Sequence, residues 1–460
     1  MNMSKFWSCR FWLACLGLAL LLATTGLGLA ADTLVWNKAK DRVDADIHAM
    51  GVWTLLERIA QETGWHIFVE PDATNHVASA KFKDLPSGEA LRRLLGDLNF
   101  AMVPETNASP RFYVFRTSMR NATQAVRTPA KSAALAKKIP NELIVKLKPG
   151  VNIDDLARRL GAKVVGRIPE LNTFRLQFDD AAATDAARSQ LATNPDAVSV
   201  DDNYFVDAPP KPQAVNGVSA APVQLKLNPP PDTGKIIVGL VDTAVDPLGS
   251  DLEKFILQRL SVNGDSQTSD GTLTHGTAML ETLLRSVQMT ENGSSSVQIL
   301  SVDVFGGSET ANTFNVAAGL VQAGNNGATV INASLGGYGD SSLLSDAVKL
   351  LSDHNIPIFA ALGNDASATP FYPAAYPNVI SVTALGSPGQ IASYANHGST
   401  PDAAAPGTVL VTYNGQTYMV QGTSASTAIA TGVASGVADA THAAWSKVIP
   451  TVEKNLPVPK

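Results

Sequence analysis

The sequence predicts an α/β protein: a mostly parallel sheet with helices on both faces, preceded by two small α+β domains. Three observations predict it. After Lys235, near-continuous apolar runs alternate with helical patterns. Upstream, two separate stretches alternate short strands with short helices, and polar or proline-rich segments divide the parts. At 460 residues the chain is too long for one ordinary core. Hydrophobic residues at 45% and charged residues at 17% mark a globular chain rather than a disordered one. A net charge of -6 with no dense Lys/Arg stripe excludes the usual nucleic-acid footprint.

Residues 1–30 have the pattern of a signal peptide. Lys5 and Arg10 supply the positive start, Phe11 to Leu22 is almost wholly apolar, and Gly28-Leu29-Ala30 offers small residues for cleavage. Cleavage there removes two basic residues and no acidic one, taking the charge from -6 to -8. It also removes Cys9 and Cys15, leaving no thiol and no disulfide. No later stretch is long and apolar enough to span a membrane. The expectation is an exported protein, periplasmic or secreted, with no membrane span after signal removal.

Residues 36–117 form the first α+β unit. Val52, Leu55, Leu56, Ile59 and Ala60 recur at helical spacing, and His66 to Val69 reads as the next strand. Ala78 to Phe82 is strand-like, Leu91, Leu94, Leu95 and Leu98 mark a second helix, and Arg111 to Phe115 closes the unit. Residues 118–139 are polar and Ala-rich, a linker. From 140 to 207, a strand at Glu142 to Leu147, a helix at Ile153 to Leu160, a strand at Thr173 to Phe178, a helix at Asp185 to Leu191 and a strand at Ala197 to Val200 give a ferredoxin-like outline. Residues 208–233 hold seven prolines and no periodic apolar pattern, which reads as an extended spacer suited to a processing cut between Val206 and Leu227. Pro229 to Pro231 would resist many proteases.

Residues 234–460 form the large domain. Ile236 to Val241, Val297 to Val304, Ala328 to Ala333, Ile356 to Ala361 and Val379 to Val382 read as strands covered on both faces, with Ser341 to His354 a helix between two of them. In such sheets the chemistry gathers at the carboxyl ends of the strands. Asp242 ends the first of these strands. His275 opens a helical pattern, and Ser424 follows Gly422-Thr423 at the start of a long small-residue helix, the positive end of its dipole. Carboxylate, imidazole and hydroxyl are the groups that make serine a nucleophile: the base takes its proton, and the carboxylate holds the base. Taken singly, Asp242 is a cap, His275 a surface histidine, Ser424 a helix cap and Asn364 a turn residue. Their order and strand context together point to acyl transfer. His48, His66, His76, His354, His397 and His442 are scattered without ligand spacing, so no cofactor and no histidine-bound metal are expected; structural calcium stays open, with no site for it identifiable.

Asp242-Thr243-Ala244-Val245-Asp246, His275-Gly276-Thr277 and Gly422-Thr423-Ser424 resemble the Asp, His and Ser blocks of the subtilisin-like serine proteases, in the chain order recorded for subtilisin. The resemblance implies a subtilisin-like sheet, with Ser424 as nucleophile, His275 as general base and Asp242 orienting it. Ala361-Leu362-Gly363-Asn364 resembles the oxyanion segment, with Asn364 as donor. Ser334-Leu335-Gly336, together with Ala361 and Gly363, resembles the substrate-binding walls. The unit at 140–207, with Leu143 to Gly150 and Val200 to Tyr204, resembles a subtilase propeptide, which implies an intramolecular inhibitor and a polypeptide substrate. Residues 36–117, notably Leu55-Leu56 and Leu85 to Leu91, resemble the short N-terminal domain of secretins and TonB-dependent receptors, which implies an envelope partner and a Gram-negative source. Three residues depart from the family pattern: Ala244 where glycine is usual, Ala278 where histidine is usual and Ala428 where proline is usual. The rival expectation is a weak or inactive subtilase-fold scaffold that binds peptides. An esterase is disfavoured, because Ser426 breaks the Gly-X-Ser-X-Gly elbow.

Overall fold

The computed structural model describes residues 33–126 and 136–459, apart from 39, 71–72, 74–75, 106–107, 123, 220–224, 229–235, 249–250, 265–272, 292 and 387–388. The predicted signal segment and Pro229 to Pro231 lie outside the described residues. The chain divides into two compact units, one ending at Val126 and one beginning at Arg127.

In the first unit a three-stranded sheet (Thr33–Asn37, Arg42–Gly51, Val77–Pro86) and a four-stranded sheet share one core with two helices, Val52–Thr63 and Ser87–Leu95. Leu55, Leu56 and Ile59 are fully buried from the first helix, and Leu91, Leu94 and Leu95 from the second. The four-stranded sheet runs Asn99–Glu105, Ala108–Phe115, His66–Val69, Gln124–Val126. Its last strand comes from the stretch expected to be linker and pairs antiparallel with His66–Val69. Three residues are too few to show a period, so this end of the unit was illegible in the sequence.

The second unit begins with a sheet of strands Lys163–Ile168, Thr173–Gln177, Lys138–Leu147 and Ala197–Asp207 in that spatial order. Helices Ile153–Leu160 and Ala181–Leu191 cover one face, burying Leu143, Val145, Leu156 and Leu176 between them. The strand Ala197–Asp207 outruns the expected end at Val200. Its extension Phe205–Asp207 pairs with Thr310–Asn312 of the large domain. The proline-rich stretch also differs from a bare spacer: Gln213–Ser219 adds as a third strand to the hairpin Thr408–Tyr413/Gln416–Gln421. Its cross-strand partner supplies the order, and nothing in the local pattern shows it.

The large domain is built on seven strands: β1 (Ile236–Asp242), β2 (Ile256–Ser261), β3 (Val297–Asp303), β4 (Val330–Ala333), β5 (Ile358–Ala361), β6 (Val379–Leu385) and β7 (Ala403–Pro406). They lie in the order β2-β3-β1-β4-β5-β6-β7, and every neighbouring pair is parallel. Five helices cover the sheet: α1 (His275–Thr290), α2 (Thr313–Asn325), α3 (Ser342–Asp353), α4 (Thr423–Thr441) and α5 (Trp445–Asn455). Alternate residues of β1 feed two cores. Val238 and Leu240 pack with α1, α4 and α5, whereas Val241 packs with α2 and α3. That double burial is why the strands read as continuous apolar runs.

Candidate active site

Each predicted site residue stands at an element end. Asp242 closes β1 and is wholly buried; His275 is the first residue of α1; Ser424 is the second residue of α4. His275 Nδ1 lies 2.8 Å from Asp242 Oδ1, which also accepts the Thr243 backbone N–H at 2.7 Å. Facing a carboxylate, Nδ1 carries the proton and Nε2 keeps its lone pair, the tautomer a base requires. Thr274 starts α1 by accepting the Thr277 N–H at 3.2 Å. Gly276 is required by the close approach of the two blocks: a β-carbon there would collide with the Thr243 carbonyl oxygen.

Ser424 Oγ donates to the Ser334 carbonyl at 2.9 Å, and no hydrogen bond joins it to His275. The structure therefore pairs acid and base and brings the serine to the same strand ends with its hydroxyl turned toward Ser334. His275 and Ser424 are only 3% and 4% exposed, whereas Asn364 is half-buried.

Asn364 is fixed in direction. Its Oδ1 accepts from the Thr423 backbone N–H at 2.8 Å and from Thr423 Oγ1 at 3.0 Å, capping the start of α4. An N–H must meet an oxygen, so the amide NH2 is the end turned away from Thr423. Thr423 Oγ1 also accepts the Gly363 N–H at 3.1 Å. Gly363 has φ 102°, and a β-carbon there would collide with the Asn396 amide. Ser334, Leu335 and Gly336 run on from β4, as Leu362 and Gly363 run on from Ala361 at the end of β5; Ser334 meets Ser424, and Gly363 meets the adjoining Thr423.

Supporting residues escaped the sequence reading because their signals are long-range. Thr431 Oγ1 donates to Asn332 Oδ1 at 3.0 Å, Asn332 Nδ2 to Ser334 Oγ at 2.9 Å, and Ser334 Oγ to the Ser424 carbonyl at 3.0 Å. This buried chain ties β4 to α4. Asp246 ties the Asp block to the His block, accepting from Thr277 Oγ1 and the Thr274 N–H, both at 3.1 Å. Arg259 reaches the Val245 and Asp246 carbonyls at 3.0 and 3.1 Å while paired with Glu253. Ala244, Ala278 and Ala428 are all buried and apolar, and the latter two share the core beneath α1 and α4.

The subtilase family model matches residues 233–454, and that of the fervidolysin N-terminal prodomain matches residues 124–201. Thermitase of Thermoactinomyces vulgaris is 32% identical over 195 residues, 41% of this chain and 70% of thermitase. The chain belongs to the subtilase family. The relatives of this subtilase are serine endopeptidases. A thermophilic serine proteinase from Bacillus sp. (strain AK1) is 28% identical over 301 residues, covering 62% of the subtilase and 75% of the relative. The fold is subtilisin-like: the crystal structure of fervidolysin from Fervidobacterium pennivorans, a keratinolytic enzyme, matches with a TM-score of 0.54 at 20% identity. That match covers 70% of this chain and 58% of fervidolysin.

Proposed function

We propose that this subtilase is an exported serine endopeptidase, made as a zymogen, that cuts peptide bonds through an acyl-enzyme on Ser424. The observation that carries this reading is the buried Asp242–His275 pair at 2.8 Å, beside a serine in the first turn of a helix. This chemistry requires the Ser424 hydroxyl to turn from the Ser334 carbonyl to His275. His275 Nε2 then takes the proton as Ser424 attacks the peptide carbonyl, and Asp242 stabilises the imidazolium. The Asn364 amide and the Ser424 backbone N–H receive the oxyanion. His275 returns its proton to the leaving amine, and water releases the acyl group by the same steps in reverse order.

Residues 140–207 act as the prodomain. Their docking on the large domain supports this: Asn203 is wholly buried, its Nδ2 donating to Glu142 at 2.7 Å and its Oδ1 accepting from Thr313 Oγ1 and the Phe314 N–H. Lys146 pairs with Asp346 at 2.7 Å, and Arg175 donates to Asn315 at 3.1 Å. The first cut falls within 206–227. Within that range the Ala208–Pro209, Pro209–Pro210, Lys211–Pro212 and Ala221–Pro222 bonds are disfavoured, because each places a proline ring on the leaving nitrogen. Residues 36–117 serve as a docking unit for an envelope partner, on their resemblance to secretin and TonB-receptor domains. The signal-peptide pattern of residues 1–30 is the support for a periplasmic or secreted location. Among the described residues no helix is long and apolar enough to cross a membrane.

The S424A variant of the full chain should lose both fluorophosphonate labelling and processing, read by mass spectrometry of the mature N-terminus. Processing that persists in S424A would sink the autocatalytic claim. A second reading, the non-catalytic peptide-binding scaffold, draws on the Ser424 hydroxyl facing Ser334 instead of His275. Under that reading the wild-type protein stays unlabelled.

A further inference from the structure

The pairing of adjacent strands β4 and β5 ends at Ala333 and Ala360, and the gap between their continuations lies beside Ser424, whose hydroxyl touches the Ser334 carbonyl while the preceding Thr423 hydroxyl accepts the Gly363 N–H. With these two segments as the substrate-binding walls, a side chain on the residue being attacked enters this gap. Glycines face it from both walls, Gly336 on one and Gly363 on the other. Glycine walls ordinarily leave room for a substrate side chain. Here the room is taken by the protein itself. The ring of Phe371 lies so close that a β-carbon on Gly336 would collide with its edge, with Cδ1 only 2.8 Å away, and a β-carbon on Gly363 would lie 3.1 Å from its Cγ. The ring is held in place. Tyr338 meets it edge-on with centroids 5.0 Å apart. Tyr338 is itself anchored by donating to Asp365 at 2.7 Å and accepting from Asn396 Nδ2 at 3.1 Å.

We propose that Phe371 fills the floor of the pocket for the residue whose carbonyl is attacked, so that this subtilase cleaves after small side chains: alanine, glycine or serine. The inference rests on the endopeptidase reading above and adds its substrate class. Phe371 is half-buried, and a leucine or phenylalanine side chain would need the ring to swing out of the space between the two backbone walls and give up its edge-on contact with Tyr338. A methyl or hydroxymethyl group fits without displacing it.

The test uses the full chain and peptide substrates that differ only in the residue before the scissile bond. Wild type should show kcat/KM at least tenfold higher after Ala than after Phe or Leu. F371G should raise the Phe-to-Ala ratio at least tenfold, and F371L, which keeps the bulk, should retain the wild-type preference. Fluorophosphonate labelling of each variant reports whether the site is assembled. F371A carries the same expectation as F371G should the glycine variant fail to label. Equal cleavage after Phe and Ala by wild type overturns the proposal, as does a labelled F371G or F371A with the wild-type ratio. A wild-type protein that neither labels nor cleaves any of the substrates removes the endopeptidase reading itself, a different result from a labelled enzyme with the wrong preference.

Discussion

Asp242 works through direction as much as charge. With one oxygen shared between His275 and the Thr243 N–H, it allows His275 a single tautomer. D242N would remove the negative charge that stabilises the imidazolium and turn one of the two acceptor oxygens into an NH2 donor, and turnover should drop on the order of 10³–10⁴-fold with the protein still folded. Steady-state kinetics with circular dichroism of the variant checks this, and near-normal turnover would remove Asp242 from the mechanism. N364A should lower kcat by about 10²–10³ with little change in KM, because the amide acts on charge that exists only in the transition state. Glu281 is a residue-scale effect of another kind. It is buried on α1, accepts the Thr412 N–H and pairs with Arg285 at 2.6 Å. Burial raises its carboxyl from 4.5 to about 6, against the opposing pull of Arg285 and the Thr412 N–H. Between those values the folded state keeps a proton that the unfolded state has lost. Stability therefore falls as pH rises through that window, by about 2 kcal/mol in full. Urea unfolding of wild type and E281Q at pH 4.5 and pH 7 measures it, and an equal slope in both would assign the effect elsewhere.

The elements show why the departures from the family pattern are tolerated. Helices α1 and α4 approach so closely that a β-carbon on Gly432 would strike the Leu283 carbonyl, and one on Gly436 would strike Thr290 Oγ1. Ala278 and Ala428 sit in the same core, where small side chains suit a tight seam. G432A improves helix propensity by about 1 kcal/mol, yet it collides with backbone that cannot rotate away. The net effect should be a loss of about 1–3 kcal/mol in thermal or urea unfolding; a more stable G432A would mean that the helices separate easily. This scale also marks the limit of the sequence reading. Strand β1 with Asp242 at its end was legible, because burial on both faces leaves an unbroken apolar run. The strands Gln124–Val126, Gln213–Ser219 and Thr310–Asn312 were not: the first and last have three residues each, Gln213–Ser219 has no sustained apolar pattern, and all three pair with a strand distant in sequence. The same holds for the site: the Asp, His and Ser blocks were legible in short motifs, whereas Asn332, Thr431 and Phe371 matter only through what folding sets beside them.

In the second unit as a whole, the prodomain sheet and the large domain share a strand pairing, and Ile144, Ile168 and Val206 join the core formed with α2 and α3. Asn203 is the polar centre of that junction. N203A would leave the Phe314 N–H buried without its acceptor and the Glu142 carboxylate with only Arg175 at 3.8 Å, each loss costing about 1–3 kcal/mol. The junction should loosen, and fluorophosphonate labelling of the full chain should accelerate at least tenfold. Unchanged labelling kinetics would show that release of the prodomain does not limit access to Ser424.

By itself the sequence determined the class of the fold and the kinds of groups in the site. Those depend on apolar periodicity and on residue types that chemistry restricts to a few choices. Only the tertiary structure decided that Asp242 meets His275 through one oxygen, that Ser424 faces Ser334, and that Phe371 occupies the gap between the walls. Such facts are set by packing between segments far apart in the chain, where a change of one or two ångströms separates contact from none.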